Sequence, residues 1–249
     1  MRRFRHLAGQ HRTASINRLL GGLLAFNAGA INAGGFLVVG MYTSHMTGFA
    51  SMLADNLILG NVGLLLGALG TLLAFTAGAA TTAVQVNWAR QHHLRSEYAL
   101  PLLLEAGLLL LFGLLGATLN RQTPFAVPLT VLVLAYTMGL QNAVVSKISA
   151  SQIRTTHMTG VITDLGIELG KVFYWNRTQT PADSHVRANR IKLKLYSMLL
   201  ASFMAGGLVG AAGFKYLGFI WVLPMATILL LLSLPPLHAD MTRYVRRHY

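Results

Sequence analysis

A polar seven-residue sequence occurs twice in this chain with little change, each time between long apolar runs. Residues 42–48 read Tyr-Thr-Ser-His-Met-Thr-Gly, and residues 154–160 read Arg-Thr-Thr-His-Met-Thr-Gly. An Asn-Ala pair, at Asn32 and again at Asn142, precedes each copy by a similar distance. Repetition of this kind indicates that the two halves of a chain share one architecture. We therefore predict one membrane domain made of two repeats, residues 1–120 and 121–249.

The composition predicts an all-α polytopic membrane protein. The 249 residues are 54% hydrophobic and 11% charged, whereas about a quarter of a soluble domain is charged. Several uncharged runs of about 20 residues have the length that crosses roughly 30 Å of hydrocarbon. The net charge of +13 comes from short segments between these runs, where it orients a chain in the membrane. Lipid, and not nucleic acid, is therefore the expected partner.

We predict six transmembrane helices, at about residues 19–40, 62–86, 99–119, 125–146, 195–214 and 217–234, the last ending at Pro235 and Pro236. The first run also fits a signal-peptide core with a cleavage site at residues 28–30. We prefer a retained helix because its end recurs in the second half. The segments at about 47–59 and 158–170 are too short to cross at 1.5 Å per residue. Each is predicted to be a re-entrant or broken half-helix.

The distribution of Lys and Arg supports six crossings. With six, 18 of the 20 Lys and Arg residues share one face, and only Arg121 and Lys215 lie on the other. If the short segments also crossed, the division would be 15 to 5. The positive-inside rule favours the first arrangement, with both termini cytoplasmic. Three crossings per half then make the repeats inverted, a recurrent plan in membrane transport.

These motifs resemble those of the YoaK-like family of bacterial inner-membrane proteins. The resemblance rests on the doubled Ser/Thr-His-Met-Thr-Gly motif and the Asn-Ala pairs, and it covers nearly the whole chain. It implies a multi-pass protein of the bacterial inner membrane and little about a substrate. Many members carry Asn after the motif glycine, where this chain has Phe49 and Val161.

The duplicated motif is the predicted solute site. Thr47 and Thr159 are expected to cap helix starts, and Gly48 and Gly160 to permit close backbone approach. Two half-helix N-termini aimed at one point would suit an anion or a carbonyl oxygen. The predicted binding residues are Asn32, Ser44, His45, Thr47, Gly48, Gln141, Asn142, Thr156, His157, Thr159 and Gly160.

Several of these residues have structural alternatives. His45 and His157 could bind solute, move protons or cross-bond the loops by hydrogen bonds. The amides of Asn32, Gln141 and Asn142 could bind a solute or support the broken backbone. No second His or Cys lies at ligand spacing, and the chain has no cysteine. We therefore expect no metal and no cofactor.

A carboxylate pair distinguishes the second half. On a helix, His157, Asp164 and Glu168 fall on one face, and buried acids often mark proton paths. We predict proton coupling at these three residues, with pairing of Glu168 to Lys171 as the alternative. Glu105 stands alone in the third span and is expected to extend to the membrane surface.

Together these features predict a transporter for a small polar or anionic solute, with proton coupling. A passive channel of the same architecture is the alternative; an intramembrane enzyme or a scaffold is a weaker one. We predict no catalytic residues because the chain lacks a His-Glu-x-x-His or Gly-x-Ser-x-Gly pattern. The glycine pairs Gly63/Gly67 and Gly206/Gly210 could pack within the chain or form a homo-oligomer.

Overall fold

The computed structural model describes residues 14–118, 126–149, 155–176 and 185–248. Within these ranges the chain forms helices and no strands. The α-helices are α1 (Ala14–Val39), α2 (Met46–Leu59), α3 (Val62–Gln91), α4 (Ala99–Thr118), α5 (Ala126–Ile148), α6 (Met158–Phe173), α7 (Arg190–Leu217) and α8 (Val222–His248), with a 3-10 helix, Gly218–Trp221, between α7 and α8. Arg154, Arg121 and the N-terminal arginines at 2, 3, 5 and 12 lie outside the described residues.

Each half has the same order of elements: a long helix, a short helix and two further long helices. The predicted half-helices are the short ones, with 14 residues in α2 and 16 in α6. Local chemistry sets the end of α2 and the beginning of α7, the helix that follows α6. Gly60 ends α2 with a φ of 72°, a backbone conformation that glycine adopts without steric cost. Asn189 starts α7 by accepting hydrogen bonds from two backbone N–H groups with its side chain.

The two halves pack crosswise, and glycines make the contacts. Gly29 of α1 lies against the carbonyl oxygen of Phe203 in α7, and Gly206 of α7 lies against that of Phe26 in α1. A side chain at either glycine would overlap the facing backbone. This close approach of helix backbones is the packing that small residues allow in membranes.

The corresponding pair of helices, α5 and α3, makes the same kind of contact. Gly139 of α5 lies against the carbonyl oxygen of Phe75 in α3, and Gly78 lies against that of Tyr136. The first long helix of each half is therefore held by the Gly-rich helix of the other half. A fold in which each half packs on itself is excluded.

The predicted glycine pairs have different surroundings. Gly206 and Gly210 pack on α1 of the same chain, whereas a Cβ at Gly63 or Gly67 would meet nothing within 4 Å. The space beside Gly63 and Gly67 belongs to an apolar cavity of about 410 Å³ between α2, α3 and α5. Of the two pairs, only Gly63 and Gly67 leave a surface that another molecule could cover.

The last helices of the two halves, α4 and α8, pack on each other and complete the core. The main cluster of buried apolar side chains combines residues from all the long helices and from α6. Burial of such side chains contributes about 25 cal/mol per Å² when water is the reference. Inside lipid, close packing replaces much of that term.

The described helices identify a multi-pass membrane protein. Five helical stretches are long and apolar enough to cross a membrane: Asn17–Val39, Val62–Gln91, Ala99–Gly116, Pro128–Ile148 and Arg190–Arg243. The last of these contains both α7 and α8. Large apolar side chains also cover much of the outer surface of the chain, as expected where lipid is the solvent.

The predicted end of the last span at Pro235 is wrong. Helix α8 continues through Pro235 and Pro236 to His248. A proline fixes a helical φ and removes one backbone hydrogen bond. That loss is tolerated where neighbouring groups can satisfy the freed carbonyls.

Candidate functional site

Each duplicated motif forms the turn that leads into a short helix. Helix α2 begins at Met46 and α6 at Met158, so His45 and His157 are the residues that precede the first helical turn. The prediction that Thr47 and Thr159 cap these helices is wrong. Both threonines already lie inside the first turn, where a hydroxyl cannot occupy the capping position.

The motif glycines make room for the histidine rings. A Cβ at Gly48 would lie 2.7 Å from Nδ1 of His45, and one at Gly160 would overlap Nδ1 of His157. Each imidazole therefore folds back over the first turn of its own helix. The close approach predicted at these glycines exists, but a side chain and not a backbone makes it.

The preceding long helix anchors each motif turn through an asparagine. The Ser44 hydroxyl donates to Oδ1 of Asn32 at 2.9 Å, and the Thr156 hydroxyl donates to Oδ1 of Asn142 at 2.6 Å. These contacts are equivalent in the two halves. The asparagines thus support the turns, although through side chains and not through the broken backbone.

Gln141 lies elsewhere. Its Nε2 donates to the carbonyl oxygen of Leu24 in α1 at 3.3 Å, and the residue is fully buried. It therefore joins α5 to α1 and does not contact a motif turn.

Each motif turn exposes its histidine and the threonine two residues after it. Thr43 and Thr155 are buried, and their hydroxyls lack partners in the described part of the chain. By contrast, His45, Thr47, His157 and Thr159 are exposed on the surface of the chain. The groups most suited to bind a solute are therefore accessible, while Thr43 and Thr155 are held inside.

The residues after the motif glycines are both packing residues. Phe49 and Val161 are each 5% exposed and belong to buried apolar clusters. They fix the first turn of each short helix against the bundle.

The other end of each short helix is also held, by the residue that starts the next long helix. Asn61 donates through Nδ2 to Oδ1 of Asn56 at 3.2 Å. In the second half, the backbone N–H of Asn189 donates to Oε2 of Glu168 at 2.7 Å. Asn61 and Asn189 are the N-cap residues of α3 and α7, so the contact is equivalent although its chemistry differs.

Glu168 also pairs with Lys171, whose Nζ lies 2.9 Å from Oε1. The Lys171 ammonium and the Asn189 N–H together hold the pKa of Glu168 below its ordinary value. The predicted alternative, pairing of Glu168 with Lys171, is confirmed. Asp164 is exposed and lies within hydrogen-bonding reach of the Tyr196 hydroxyl in α7.

Helices α2 and α6 do not form a packed pair; α2 packs on α3, and α6 packs on α7. The convergence of both motifs on one solute site stays a prediction. Within the described residues, no three His, Asp or Glu side chains come together as a metal site requires.

Sequence reasoning missed a group of buried polar residues in the long helices. Glu105 does not reach the surface, because it has no exposed area and both carboxyl oxygens lack partners in the described ranges. Asn27 is equally buried and unpaired. The signal in the sequence is a polar residue inside an otherwise apolar stretch, Asn27 in α1 and Glu105 in α4.

A family model described as "Protein of unknown function (DUF1275)" matches residues 20–234 of the chain. No curated protein and no solved structure matches it.

Proposed function

We propose that this chain, which belongs to the DUF1275 family, is a membrane transporter for a small polar or anionic solute. The observation that carries the proposal is the doubled motif turn. Each turn is anchored by an asparagine and presents an imidazole at the start of a short helix. Polar turns at membrane depth are tolerated where they line a solute path.

We further propose six crossings in two inverted repeats, with both termini in the cytoplasm of a bacterial cell. The stretch Arg190–Arg243 has 54 residues, roughly 80 Å of helix, which is more than twice the thickness of a hydrocarbon core. It changes direction at the 3-10 helix, so it supplies two crossings. Helices α2 and α6, at roughly 21 and 24 Å, are short for a crossing.

The solute would be held by the N-terminal turns of α2 and α6. Free backbone N–H groups and the positive end of the helix dipole favour an anion or a carbonyl oxygen. Imidazole and threonine groups add donors at the same places. Because His45, Thr47, His157 and Thr159 are exposed, both turns are available to a solute.

Proton coupling is proposed at the cytoplasmic half, through His157 and Asp164. Glu168 is the weaker member of this predicted group, since its ion pair with Lys171 and its bond from Asn189 give it a holding role. A passive channel would share the architecture and would ignore a proton gradient. A homo-oligomer would use the open surface beside Gly63 and Gly67.

A ligand screen followed by flux measurement tests the function. Purified protein would be heated with formate, nitrate, sulfate, phosphate, and neutral amides and polyols, and the unfolding temperature recorded. We expect at least one solute to stabilise the wild type and not the His45→Ala/His157→Ala variant. Flux of that solute into proteoliposomes would then be compared with and without a pH gradient.

The controls separate the alternatives. Asp55→Asn changes an exposed residue of α2 and should leave binding unchanged. Solute flux that is indifferent to the gradient would identify a channel. Full function of the double histidine variant in cells would contradict the proposed site and favour a scaffold.

A further inference from the structure

Five amide and carboxyl side chains in the long helices keep at least one buried polar atom without a partner in the described ranges. Asn27 of α1, Glu105 of α4 and Gln141 of α5 are buried, and Gln85 of α3 is half-buried. The fifth, Asn17, is half-buried near the beginning of α1. Most buried polar atoms in folded proteins are hydrogen-bonded, so the other four need a common explanation.

Glu105 and Gln141 lie at the same depth because α4 and α5 run antiparallel. Helix α4 ends at Thr118, and α5 begins at Ala126. Near the other end of the pair, the Tyr98 hydroxyl donates to the carbonyl oxygen of Lys147 at 3.4 Å. Two helical turns from Tyr98, Glu105 is level with the region of α5 that contains Gln141.

Helix α3 meets α5 at that depth. The Thr82 hydroxyl donates to the carbonyl oxygen of Leu140 at 3.0 Å. Gln85 follows Thr82 by three residues, which is about one turn. Its unpaired Oε1 therefore lies within a turn of the depth of Glu105.

Helix α1 meets α5 at the same place, because Gln141 donates to the carbonyl oxygen of Leu24. Asn27 follows Leu24 by one turn. The four residues thus form a layer across the bundle, about one or two turns (5–11 Å) deep. We refer to Asn27, Gln85, Glu105 and Gln141 as the polar layer.

No cation in the described part of the chain faces Glu105 at this depth. Helix α8 runs antiparallel to α4, since the backbone N–H of Ser96 donates to Asp240 and Gly113 lies against Val222. Glu105 is therefore level with about residues 228–233 of α8, which are Ile, four Leu and Ser.

The other neighbouring stretches are uncharged as well. Residues 81–86 of α3, 137–144 of α5 and 218–221 of the 3-10 helix contain no titratable side chain. Tyr136 of α5, about one turn from the level of Glu105, is hydrogen-bonded to the Thr81 hydroxyl. Glu97 and Tyr98 lie just before α4, about two turns from Glu105, with Arg90 and Lys147 beside them. An ionised carboxylate buried without a cation is very costly, so Glu105 is neutral in this conformation.

We propose that Glu105 is a proton-binding site in the membrane interior, which exchanges its proton when the polar layer gains access to water. The amides of the polar layer would then stabilise the ionised form of Glu105, which apolar neighbours could not stabilise. The proposal rests on the transport function proposed above and adds Glu105, in the membrane interior, to His157 and Asp164 as a group that couples proton movement to transport.

A crevice between α1 and α5 offers a route to the layer. It is lined by Asn17, Leu20, Gly21, Leu24, Val145, Ile148 and Ser149. It ends at Leu24, whose carbonyl oxygen accepts from Gln141. In this conformation the crevice is too narrow to hold water, so proton exchange requires α1 and α5 to separate.

Infrared difference spectroscopy on the purified protein tests this site without a known solute. The chain has only seven Asp and Glu residues, so a protonated carboxyl can be assigned by substitution. We expect a neutral carboxylic C=O band at neutral pH that shifts in D₂O and weakens at alkaline pH. Glu105→Gln should remove the band, whereas Glu105→Asp should restore one and Asp55→Asn should leave it unchanged.

Either of two spectra would overturn the proposal. One is a band that persists in Glu105→Gln. The other is a Glu105 band that ignores both D₂O and pH, which would describe a static acid. Retained helical circular dichroism and an unchanged elution volume would show that each variant is folded.

Flux measurement separates this inference from the proposed function. With any solute that the wild type concentrates in response to a pH gradient, Glu105→Gln should abolish concentration and keep downhill exchange. If the variant still concentrates the solute, Glu105 is not a coupling group although transport stands. If the wild type moves no solute, the transport proposal fails, and the infrared result decides the proton site.

Discussion

Several glycines of this protein matter because the missing side chain leaves room for a neighbouring imidazole or backbone. Gly48 and Gly160 admit the imidazoles of the motif turns, while Gly78 and Gly139 admit facing backbones. In both cases a single methyl group would occupy the contact. Glycine at these positions is therefore a packing residue, and its conformational freedom is secondary.

A matched pair of substitutions on α3 tests this distinction. We expect Gly78→Ala to lower stability by about 1–3 kcal/mol, because its Cβ would overlap the Tyr136 carbonyl oxygen. Gly67→Ala, with open space around it, should be neutral or stabilise by up to about 1 kcal/mol. Unfolding in detergent measures both. Equal effects in the two variants would contradict the assignment of Gly78 to a close backbone contact.

At the scale of elements, each short helix is held at both ends by long helices. The asparagine bonds hold its beginning, and the N-cap residue of the next helix holds its end. The second half uses a carboxylate where the first uses an amide. That difference makes the holding contact of α6, but not of α2, sensitive to acid.

The stability of the protein should therefore fall in acid through Glu168. Its pKa is lowered in the folded state by Lys171 and the Asn189 N–H. The stabilisation is complete above the ordinary carboxyl pKa of about 4.3. It disappears as the pH falls through the lower folded-state pKa. Thermal unfolding between pH 7 and 3 should show a decline that Glu168→Gln reduces.

The control is Asp55→Asn, which removes an exposed carboxylate from α2 and should leave the decline intact. An identical pH dependence in wild type and Glu168→Gln would contradict the assignment of this contact.

At the scale of the whole molecule, crosswise packing makes the two halves interdependent. Helix α1 is held by α7, and α5 by α3. Neither half has its own complete core, so we regard the chain as one membrane domain. Movement between the α1–α7 and α3–α5 pairs is the simplest way for this bundle to open the crevice beside Leu24.

Cysteine accessibility tests the proposed six crossings. The chain lacks cysteine, so single substitutions are unambiguous. Ile58 at the end of α2 and Trp175 after α6 are 86% and 88% exposed. In intact cells, a membrane-impermeant thiol reagent should label Ile58→Cys and not Trp175→Cys. With both termini cytoplasmic, labelling of neither cysteine would mean that the short helices cross and that the protein has eight spans, whereas the reverse pattern would mean six spans in the opposite orientation.

The sequence by itself determined the class, the element order and the limits of the short helices, because hydrophobic length and helix-ending residues are local properties. It also predicted the Glu168–Lys171 pair, which is separated by one turn. The doubled motif showed where each short helix begins. It did not show that the histidine, rather than the threonine, would be the residue before the first turn. The two positions differ by two residues along the chain, a difference that helix propensity does not resolve.

Tertiary structure alone decided which helices meet. The crosswise glycine contacts join residues from 58 to 180 positions apart, and no local pattern specifies such partners. The same is true of Glu105: alone in an apolar run, it was expected to reach the surface. Packing of α4 against α3, α5 and α8 buries it instead, because the direction of a side chain depends on the neighbours that enclose its helix.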